Sequence, residues 1–166
     1  MQPNTLDVGS KNSYPSKNLS NLFARSFLFD EVTCGSVEGV LQALKFEKQH
    51  QQPEICKLSG LTAKNKGKDR NHQWKFKRGV WWQGEFYERM SDDYQRLLDR
   101  LYLTVARQCE DFRKALLDTG DLILTHTIGR VDETETILTQ KEFCSRLMKI
   151  RTLLKKSTDL NTVKRL

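Results

Sequence analysis

Three polar side chains form a row along a predicted helix that begins at Ser36. On a helix that advances about 100° per residue, Gln42 lies about 40° from Glu38, and Lys45 lies about 20° away on the other side. A carboxylate and an amine in one row can stabilise charge and activate a nucleophile if the row faces a ligand. The same row on an exposed helix needs no function, because glutamate and lysine at this spacing are common on surfaces. Apolar residues border the row on both sides, as in a cleft wall, and the pattern alone leaves both interpretations open.

Two further groups in the sequence are candidates for ligand contact. Trp81 and Trp82 precede Gly84, and an indole ring can stack on a nucleobase. Core packing is the alternative, but two adjacent residues seldom both face one core, so we expect one of the pair to be partly exposed. His126 ends a predicted strand before Gly129, where a structural histidine is a simpler interpretation than a catalytic one.

Positive charge is concentrated in one segment of the chain. The formal net charge is +7, and between Lys57 and Arg78 only Asp69 is acidic. The cationic residues of this segment are Lys57, Lys64, Lys66, Lys68, Arg70, Lys75, Lys77 and Arg78. Clustered cations attract phosphate-bearing ligands, and Trp74 and Phe76 lie among them. The segment therefore predicts either a solvated basic loop or a surface for phosphate or nucleic acid.

Missing motifs exclude several chemistries. The cysteines at Cys34, Cys56, Cys109 and Cys144 are widely spaced, which indicates reduced structural thiols. The three histidines are scattered without the spacing of a zinc site, so we expect no metal and no other cofactor. A phosphate-binding loop is excluded because Thr62 stands where that motif requires glycine.

Length and composition predict one globular domain. A chain of 166 residues is large enough to bury about 70% of its unfolded surface, but too short for two ordinary domains. Residues 1–17, rich in polar residues, predict a flexible N-terminal arm, residues 18–155 the folded domain, and residues 156–166 a C-terminal tail. No apolar stretch approaches the roughly 20 residues that span a bilayer, and no signal-peptide core is present. These features predict a cytoplasmic protein without a membrane partner.

Turn and capping residues divide the domain into predicted elements. Ser36 and Ser91 can each cap a helix, and Thr139 with Glu142 matches a capping box. The predicted elements are, in chain order, a short strand at Phe27–Phe29, a helix from Val37 to Gln49, short helices within residues 50–90, helical segments between Ser91 and Gly120, a short strand at Leu122–Leu124 and a helix after Thr139. The polar row therefore lies on a helix that follows the first strand.

These motifs together resemble those of the NADAR family, also called YbiA-like. The early motifs are Leu19-Ser20-Asn21, Ser36-Val37-Glu38 with Gln42 and Lys45-Phe46, and Ala63-Lys64 with Gly67. The later motifs are Trp82-x-Gly84, the run Phe112–Gly120, Leu124-x-His126 with Gly129, and Thr136-Ile137-Leu138-Thr139 with Glu142-Phe143. The resemblance covers residues 14–154.

The resemblance implies a fold and an activity. It implies an α+β fold, a mainly helical single domain with a few short strands, and it identifies residues 18–155 as a NADAR-like N-glycosidase domain. The implied reactions are removal of ADP-ribose from modified guanine in nucleic acid and hydrolysis of ribosylated pyrimidine intermediates of riboflavin synthesis. The implied partner is therefore ADP-ribosylated nucleic acid or a ribosylated nucleotide. The basic segment favours the larger, polyanionic ligand over a small pyrimidine.

The resemblance also assigns roles to the polar row. Breaking a ribosyl C–N bond builds positive charge on the sugar, which the carboxylate of Glu38 would stabilise while it activates water. Lys45 would either attack the anomeric carbon to form a Schiff base, if burial lowers its pKa, or bind phosphate or hydroxyl groups. The catalytic candidates are Glu38 and Lys45, and the implied ligand-binding residues are Asn21, Ser36, Gln42, Lys64, Trp82 and His126.

Two other functions agree with the same sequence. A basic module could bind nucleic acid or ADP-ribose without cutting it, through the Lys57–Arg78 segment and its tryptophans. A purely structural interaction protein would instead have the Glu38 face covered by another chain. Many NADAR relatives also carry Asn-Arg-Leu-Gly before the last helix, where this chain has Thr139–Phe143. The sequence therefore leaves the native substrate and the oligomeric state open.

Overall fold

The computed structural model describes residues 4–157 and shows an α+β fold dominated by helices. The helices are α1 (Ser16–Leu19), α2 (Val37–Ala43), α3 (Gln52–Cys56), α4 (Gly60–Lys66), α5 (Asn71–Lys77), α6 (Asp92–Gln108), α7 (Glu110–Asp118) and α8 (Gln140–Lys156). The strands are β1 (Thr5–Asp7), β2 (Phe27–Phe29), β3 (Val32–Cys34), β4 (Gly79–Trp82), β5 (Glu85–Glu88) and β6 (Ile123–Thr125). The predicted fold class is confirmed. Of the predicted tail, residues 158–166 lie outside the described residues.

Three helices from the second half of the chain build the core. α6 packs against α7 and α8, and α7 packs against α8. Leu98, Leu116 and Leu147, one from each helix, are fully buried. Each such leucine contributes roughly 1.5–3 kcal/mol relative to an exposed position. α1 packs on α7 and β2 packs on α6, so these helices support the segments that precede α2.

Both long helices begin where their capping residues predict. Ser91 Oγ accepts a hydrogen bond from Tyr94 N at 3.2 Å at the start of α6. At the start of α8, Thr139 Oγ1 accepts from Glu142 N at 3.1 Å, and the Glu142 carboxylate accepts from Thr139 N at 2.8 Å. The predicted capping box is therefore confirmed, and each cap stabilises its helix by about 1 kcal/mol.

The N-terminal residues belong to the fold, which corrects the flexible arm predicted for residues 1–17. β1 pairs in parallel with β6, and Thr125 Oγ1 donates to Asp7 Oδ1 at 3.0 Å. Val8, the residue after β1, is fully buried. Asp7 and Thr125 are 118 positions apart, so no local pattern could predict their pairing. Residues 1–3 of the predicted arm lie outside the described residues.

α2 is shorter than the helix predicted over Val37–Gln49. It ends at Ala43, and one tighter turn follows in which Phe46 N donates to the Ala43 carbonyl at 3.0 Å. The buried side chain of Gln52 donates to the carbonyls of Ala43 and Phe46 at 3.0 and 3.1 Å. Gln52 thereby satisfies helix-end carbonyls that would otherwise need another turn or water. Because this cap comes from α3, helical periodicity could not predict where α2 ends.

The first turn of α2 lies directly against the end of α3. Ser36 Oγ accepts from Gly39 N at 2.9 Å, which confirms the predicted helix start. A Cβ atom at Gly39 would lie only 2.6 Å from the carbonyl oxygen of Cys56. Glycine at this position therefore permits the close approach that places α2 and its polar side chains.

Residues 50–90 contain the short helices α3, α4 and α5, as predicted, and then the antiparallel hairpin of β4 and β5.

All four cysteines are free and buried, and burial raises the pKa of Cys144 to about 11. A thiol with a raised pKa is a poor nucleophile, so Cys144 acts as a packing residue. Within residues 4–157, no helix is long and apolar enough to cross a membrane.

Candidate functional site

A cavity of about 440 Å³ opens beside α2, α5 and the loop that follows β6. Its volume falls within the range of about 300–1,000 Å³ that is typical of small-molecule sites. The predicted site residues that line it are Asn21, Glu38, Gln42, Lys45, Lys64 and His126. Glu38 and Gln42 of α2, and Lys45 in the turn after it, therefore border a cavity instead of lying on a fully solvated surface.

Glu38 and Gln42 form a hydrogen-bonded pair on the cavity wall. Gln42 Nε2 donates to Glu38 Oε1 at 2.7 Å, a bond strengthened by the charge of the acceptor. Glu38 N donates to the main-chain oxygen of Asn21 at 2.9 Å, which ties α2 to the loop after α1. Among residues 4–157, Glu38 Oε2 has no hydrogen-bond partner. The carboxylate therefore has a fixed direction and one oxygen available to a ligand.

Lys45 is a buried amine that borders the same cavity. The residue is 8% exposed, and its Nζ has no hydrogen-bond or ion-pair partner within the described part of the chain. Burial lowers the pKa of Lys45 to about 8; the charge of Glu38 opposes this change, and nearby Lys75 adds to it. With that pKa, about one amine in ten is neutral at pH 7, against fewer than about one in a thousand for an ordinary lysine. The neutral amine is the nucleophilic form.

Gly67, which follows α4, lies directly against the side chains of Gln42 and Lys45. A Cβ atom at this position would lie 1.9 Å from Gln42 Oε1 and 3.0 Å from Lys45 Cδ. Gln42 Oε1 is itself buried, with no hydrogen-bond partner among the described residues. The absence of a side chain at Gly67 therefore leaves room for the positions of Gln42 and Lys45.

Asn21 presents its amide nitrogen toward the cavity because Tyr102 occupies its amide oxygen. Tyr102 Oη donates to Asn21 Oδ1 at 2.8 Å. Burial raises the pKa of Tyr102 well above its usual value, so the phenol keeps its proton and remains a donor. Asn21 Nδ2, for which residues 4–157 provide no acceptor, is then the group free to donate to a ligand oxygen.

His126 is held by the N-terminal strand. Its Nδ1 lies 2.7 Å from the main-chain oxygen of Val8. Because a carbonyl oxygen only accepts, Nδ1 carries the proton of that bond and Nε2 is the nitrogen left for a ligand. The ring also packs edge-on against Phe143, with 5.2 Å between ring centroids. His126 thus has a structural role through one nitrogen and borders the cavity with the rest of its ring.

Three cations, Lys64, Lys68 and Arg130, line the cavity in addition to the polar row. Glu135 also lines it, but its carboxylate pairs with Lys75 at 2.9 Å. The excess of positive charge suits an anionic ligand such as a phosphate. Lys68 belongs to the basic segment recognised in the sequence, whereas no sequence signal pointed to Arg130. In the part of the chain that the structure describes, no three His, Cys, Asp or Glu side chains form a candidate metal site.

Trp82 does not reach the cavity, which corrects its predicted role in stacking on a base. It is 2% exposed, and its Nε1 donates to Asp30 Oδ2 at 2.8 Å. The expectation that Trp81 or Trp82 would be partly exposed is also wrong, because Phe86 contacts the first ring and Phe29 stacks on the second. The two faces of β4 are thus covered by different neighbours, so both indoles are buried.

α5 supplies the indole that borders the cavity. Trp74 lies on the cavity wall, and its Nε1 donates to Asn71 Oδ1 at 3.2 Å. Both residues were missed as site residues, although Trp74 lies within the basic segment, which was the available signal. Trp74 therefore borders the cavity, whereas Trp82 does not, although both residues are only 2% exposed.

Ser36 is structural, which corrects its predicted role in ligand binding. It is fully buried, and its Oγ accepts from Gly39 N and donates to the main-chain oxygen of Leu58 at 2.7 Å. Both capacities of the hydroxyl are used within the protein. Ser36 therefore positions Glu38 by fixing the start of α2.

Comparison with solved structures identifies the architecture. The NMR structure of the E. coli protein YbiA is similar to this chain, with a TM-score of 0.62 and 18% sequence identity. The similarity covers 94% of this chain and 88% of that structure. At this level of identity the similarity establishes the fold, and it confirms that the chain is YbiA-like in structure.

Comparison of sequences identifies phage relatives. An uncharacterized 17.1 kDa protein from the Gp30-rIII intergenic region of Enterobacteria phage T4 is 34% identical over 148 residues. The match covers 88% of this chain and 96% of the T4 protein. A family model described as Bacteriophage protein GP30.3 matches residues 13–152. The chain therefore belongs to the bacteriophage protein GP30.3 family.

Proposed function

We propose that this protein is an N-glycosidase that breaks the bond between a ribosyl carbon and a base, with ADP-ribosylated guanine in nucleic acid or nucleotides as substrate. The observation that carries the proposal is the cavity wall on which Glu38, Gln42 and Lys45 lie side by side. An amine of lowered pKa next to a carboxylate is suited to nucleophilic displacement at an electrophilic sugar carbon. The YbiA-like fold supports the proposal, since the NADAR resemblance implies this class of reaction.

In the proposed reaction, the neutral amine of Lys45 attacks the anomeric carbon while the bond from that carbon to the base nitrogen breaks. The electron pair of the broken bond leaves with the base nitrogen, which takes a proton from water. Positive charge builds on the sugar ring beside Glu38, whose carboxylate stabilises it. Glu38 also accepts the proton that the attacking nitrogen releases and returns it to the hydroxide left by that water, which restores the carboxylate. The sugar ring then opens to an imine, and water hydrolyses the imine to free the sugar and restore the amine.

The rest of the cavity suits the remainder of an ADP-ribose group. Asn21 Nδ2 can donate to a ribose hydroxyl, since Tyr102 fixes the orientation of the amide. Lys64, Lys68 and Arg130 supply positive charge for the diphosphate, and no described residue pairs with their side chains. A pyrimidine riboside without a diphosphate would leave these three cations unused.

Glu38→Gln tests the proposal, because it keeps the size of the side chain and removes its charge. We expect a loss of about 100-fold or more in turnover, the scale found when one transition-state contact is removed. Glu54→Gln is the matched control, since Glu54 is an exposed residue of α3 that pairs with Lys57 at the surface. The assay is mass spectrometry of products from an ADP-ribosylated oligonucleotide, ADP-ribosylated guanosine and free ribosylated metabolites. Unchanged turnover in Glu38→Gln would contradict the role of Glu38.

Borohydride added during turnover tests the covalent step. Reduction of the imine should link the sugar to Lys45, and peptide mapping by mass spectrometry should locate the adduct there. Active enzyme without any adduct would instead indicate direct attack by water activated by Glu38. Wild-type protein that binds ADP-ribosylated DNA without forming product would favour the alternative of a non-catalytic binding module.

A further inference from the structure

Two aliphatic side chains project into solvent from the loop that borders the cavity. Ile128 lines the cavity and is 72% exposed, and Val131 is 75% exposed. Isolated exposed aliphatic residues are ordinary on protein surfaces, whereas an exposed apolar group at the mouth of a cavity is typical of a binding site. Arg130 lies between the two and also lines the cavity. We call Ile128, Arg130 and Val131 the rim.

The backbone is anchored just before the rim and within it. Thr127 N donates to Asp7 Oδ1 at 2.8 Å, just before Ile128. The Arg130 carbonyl accepts from Gln140 N at 2.9 Å, and the Gly129 carbonyl accepts from Gln140 Nε2 at 2.6 Å. The apolar side chains are therefore presented as a preformed surface, which reduces the entropy lost on binding.

α4 and the turn after it also combine apolar and cationic side chains beside the cavity. Leu61 is exposed one helical turn before Lys64, and Lys64 and Lys68 both line the cavity. A ligand the size of one ribosylated nucleotide can occupy the cavity, but it would leave Leu61 and Val131 uncovered, since neither lines the cavity. A nucleic-acid strand offers both apolar base faces and phosphates, so it fits the rim and the cations together.

We propose that the rim binds the nucleic-acid strand that supplies the base in the cavity, with Ile128 and Val131 filling the gap that this base leaves in the stack. A base turned out of its stack exposes the faces of its two neighbours, and apolar side chains inserted there replace the lost stacking contacts. Arg130 lies between the two aliphatic residues and lines the cavity, so its positive charge attracts the phosphates of the strand as well as the diphosphate in the cavity. The inference rests on the proposed function, because the base in the cavity is taken to be the ribosylated one.

Binding of an unmodified strand tests the rim independently of catalysis. The probe is a single-stranded DNA 15-mer with a 5′-fluorescein, and the measurement is its anisotropy with the full chain. Ile128→Ser combined with Val131→Ser should raise the Kd about 10-fold or more, the scale expected when a buried aliphatic contact is lost. Ile123→Ser is the matched control, because Ile123 is 54% exposed on β6 and does not line the cavity; its Kd should equal that of the wild type. Arg130→Ala should reduce the salt dependence, with a slope smaller by about 0.7.

The inference is overturned if the double variant binds the 15-mer as tightly as the wild type, or if the wild type does not bind it. A second comparison uses turnover of ADP-ribosylated guanine in the 15-mer and in the free nucleoside. Val131→Ser, whose side chain does not line the cavity, should lose activity on the strand about 10-fold and keep activity on the nucleoside. Equal losses on both substrates would overturn the rim assignment and leave the glycosidase proposal intact. Wild type that is inactive on both would refute the glycosidase proposal, while the anisotropy measurement would still decide the rim.

Discussion

Replacing Lys45 by methionine should make this protein more stable at neutral pH, although it removes a residue of the proposed reaction. Burial, which the charge of Glu38 opposes, lowers the pKa of Lys45 from 10.5 to about 8. The difference corresponds to about 3 kcal/mol, since one pKa unit is worth about 1.4 kcal/mol. This is the free energy that the folded state loses by holding a buried ammonium group at pH 7. Methionine has a similar length and no charge, so the variant should be more stable by up to about 3 kcal/mol.

The direction in which stability changes with pH follows from which state, folded or unfolded, binds the proton of Lys45. Well below pH 8 the amine is protonated in both states, so the folded state carries the full penalty of the buried charge. Between pH 8 and 10.5 the folded state is mostly neutral while the unfolded state is still protonated, so stability rises with pH. Relative to Lys45→Met, the wild type should therefore gain about 2 kcal/mol between pH 7 and pH 9.5.

Urea unfolding followed by circular dichroism at pH 7 and pH 9.5 measures this difference. Lys64→Met is the control, because Lys64 lines the same cavity but is exposed, so its replacement should produce no comparable dependence on pH. The reasoning is refuted if Lys45→Met is less stable than the wild type at pH 7. It is also refuted if the two proteins differ in free energy of unfolding by the same amount at both pH values.

Two further predictions concern the supports of the site and the core, and urea unfolding measures both. Gly67→Ala should lower the free energy of unfolding by about 1–3 kcal/mol, because the new Cβ would lie 1.9 Å from Gln42 Oε1. Adding Gln42→Ala should recover part of that loss, and purely additive losses would contradict the contact. Glu142→Gln should lower the free energy of unfolding by about 3 kcal/mol, because it leaves buried Arg89 without the carboxylate that lies 2.6 Å away. Burial alone would raise the pKa of Glu142. Its hydrogen bonds, of which the one from Arg89 has the largest effect, outweigh burial, so the pKa is lowered. The wild type should therefore lose this stabilisation as the pH falls through the lowered pKa, and the variant should show no such acid-dependent loss.

Helix starts could be predicted from short sequence patterns. Ser36, Ser91 and Thr139 each cap the helix that follows, as predicted, because the hydroxyl bonds an amide only three residues away. The YbiA-like fold was implied by the resemblance to the NADAR family and is confirmed by the similarity to the solved structure. The ends of elements were less predictable, since α2 stops where Gln52 from α3 satisfies its carbonyls.

Site residues that depend on distant contacts could not be assigned from local pattern. The carbonyl of Val8 occupies one ring nitrogen of His126 through the pairing of β1 with β6. Trp82 is buried because Asp30 and Phe29 cover it, whereas Trp74 borders the cavity. Each of these outcomes depends on which distant segments pack together, and periodicity within one helix or strand carries no information about that.

The polar row shows most clearly which features the sequence determined and which depend on the tertiary structure. Lys45 lies in the turn after α2, so the pitch of the helix does not place it. The spacing of Glu38 and Gln42 determined by itself that they share one side of α2, because the pitch of a helical turn is a local property. Only the tertiary structure decided that this side borders a cavity, since the opposite walls come from α5 and the loop after β6. The lowered pKa of Lys45 also depends on the tertiary structure, because it arises mainly from burial of the side chain in the folded protein.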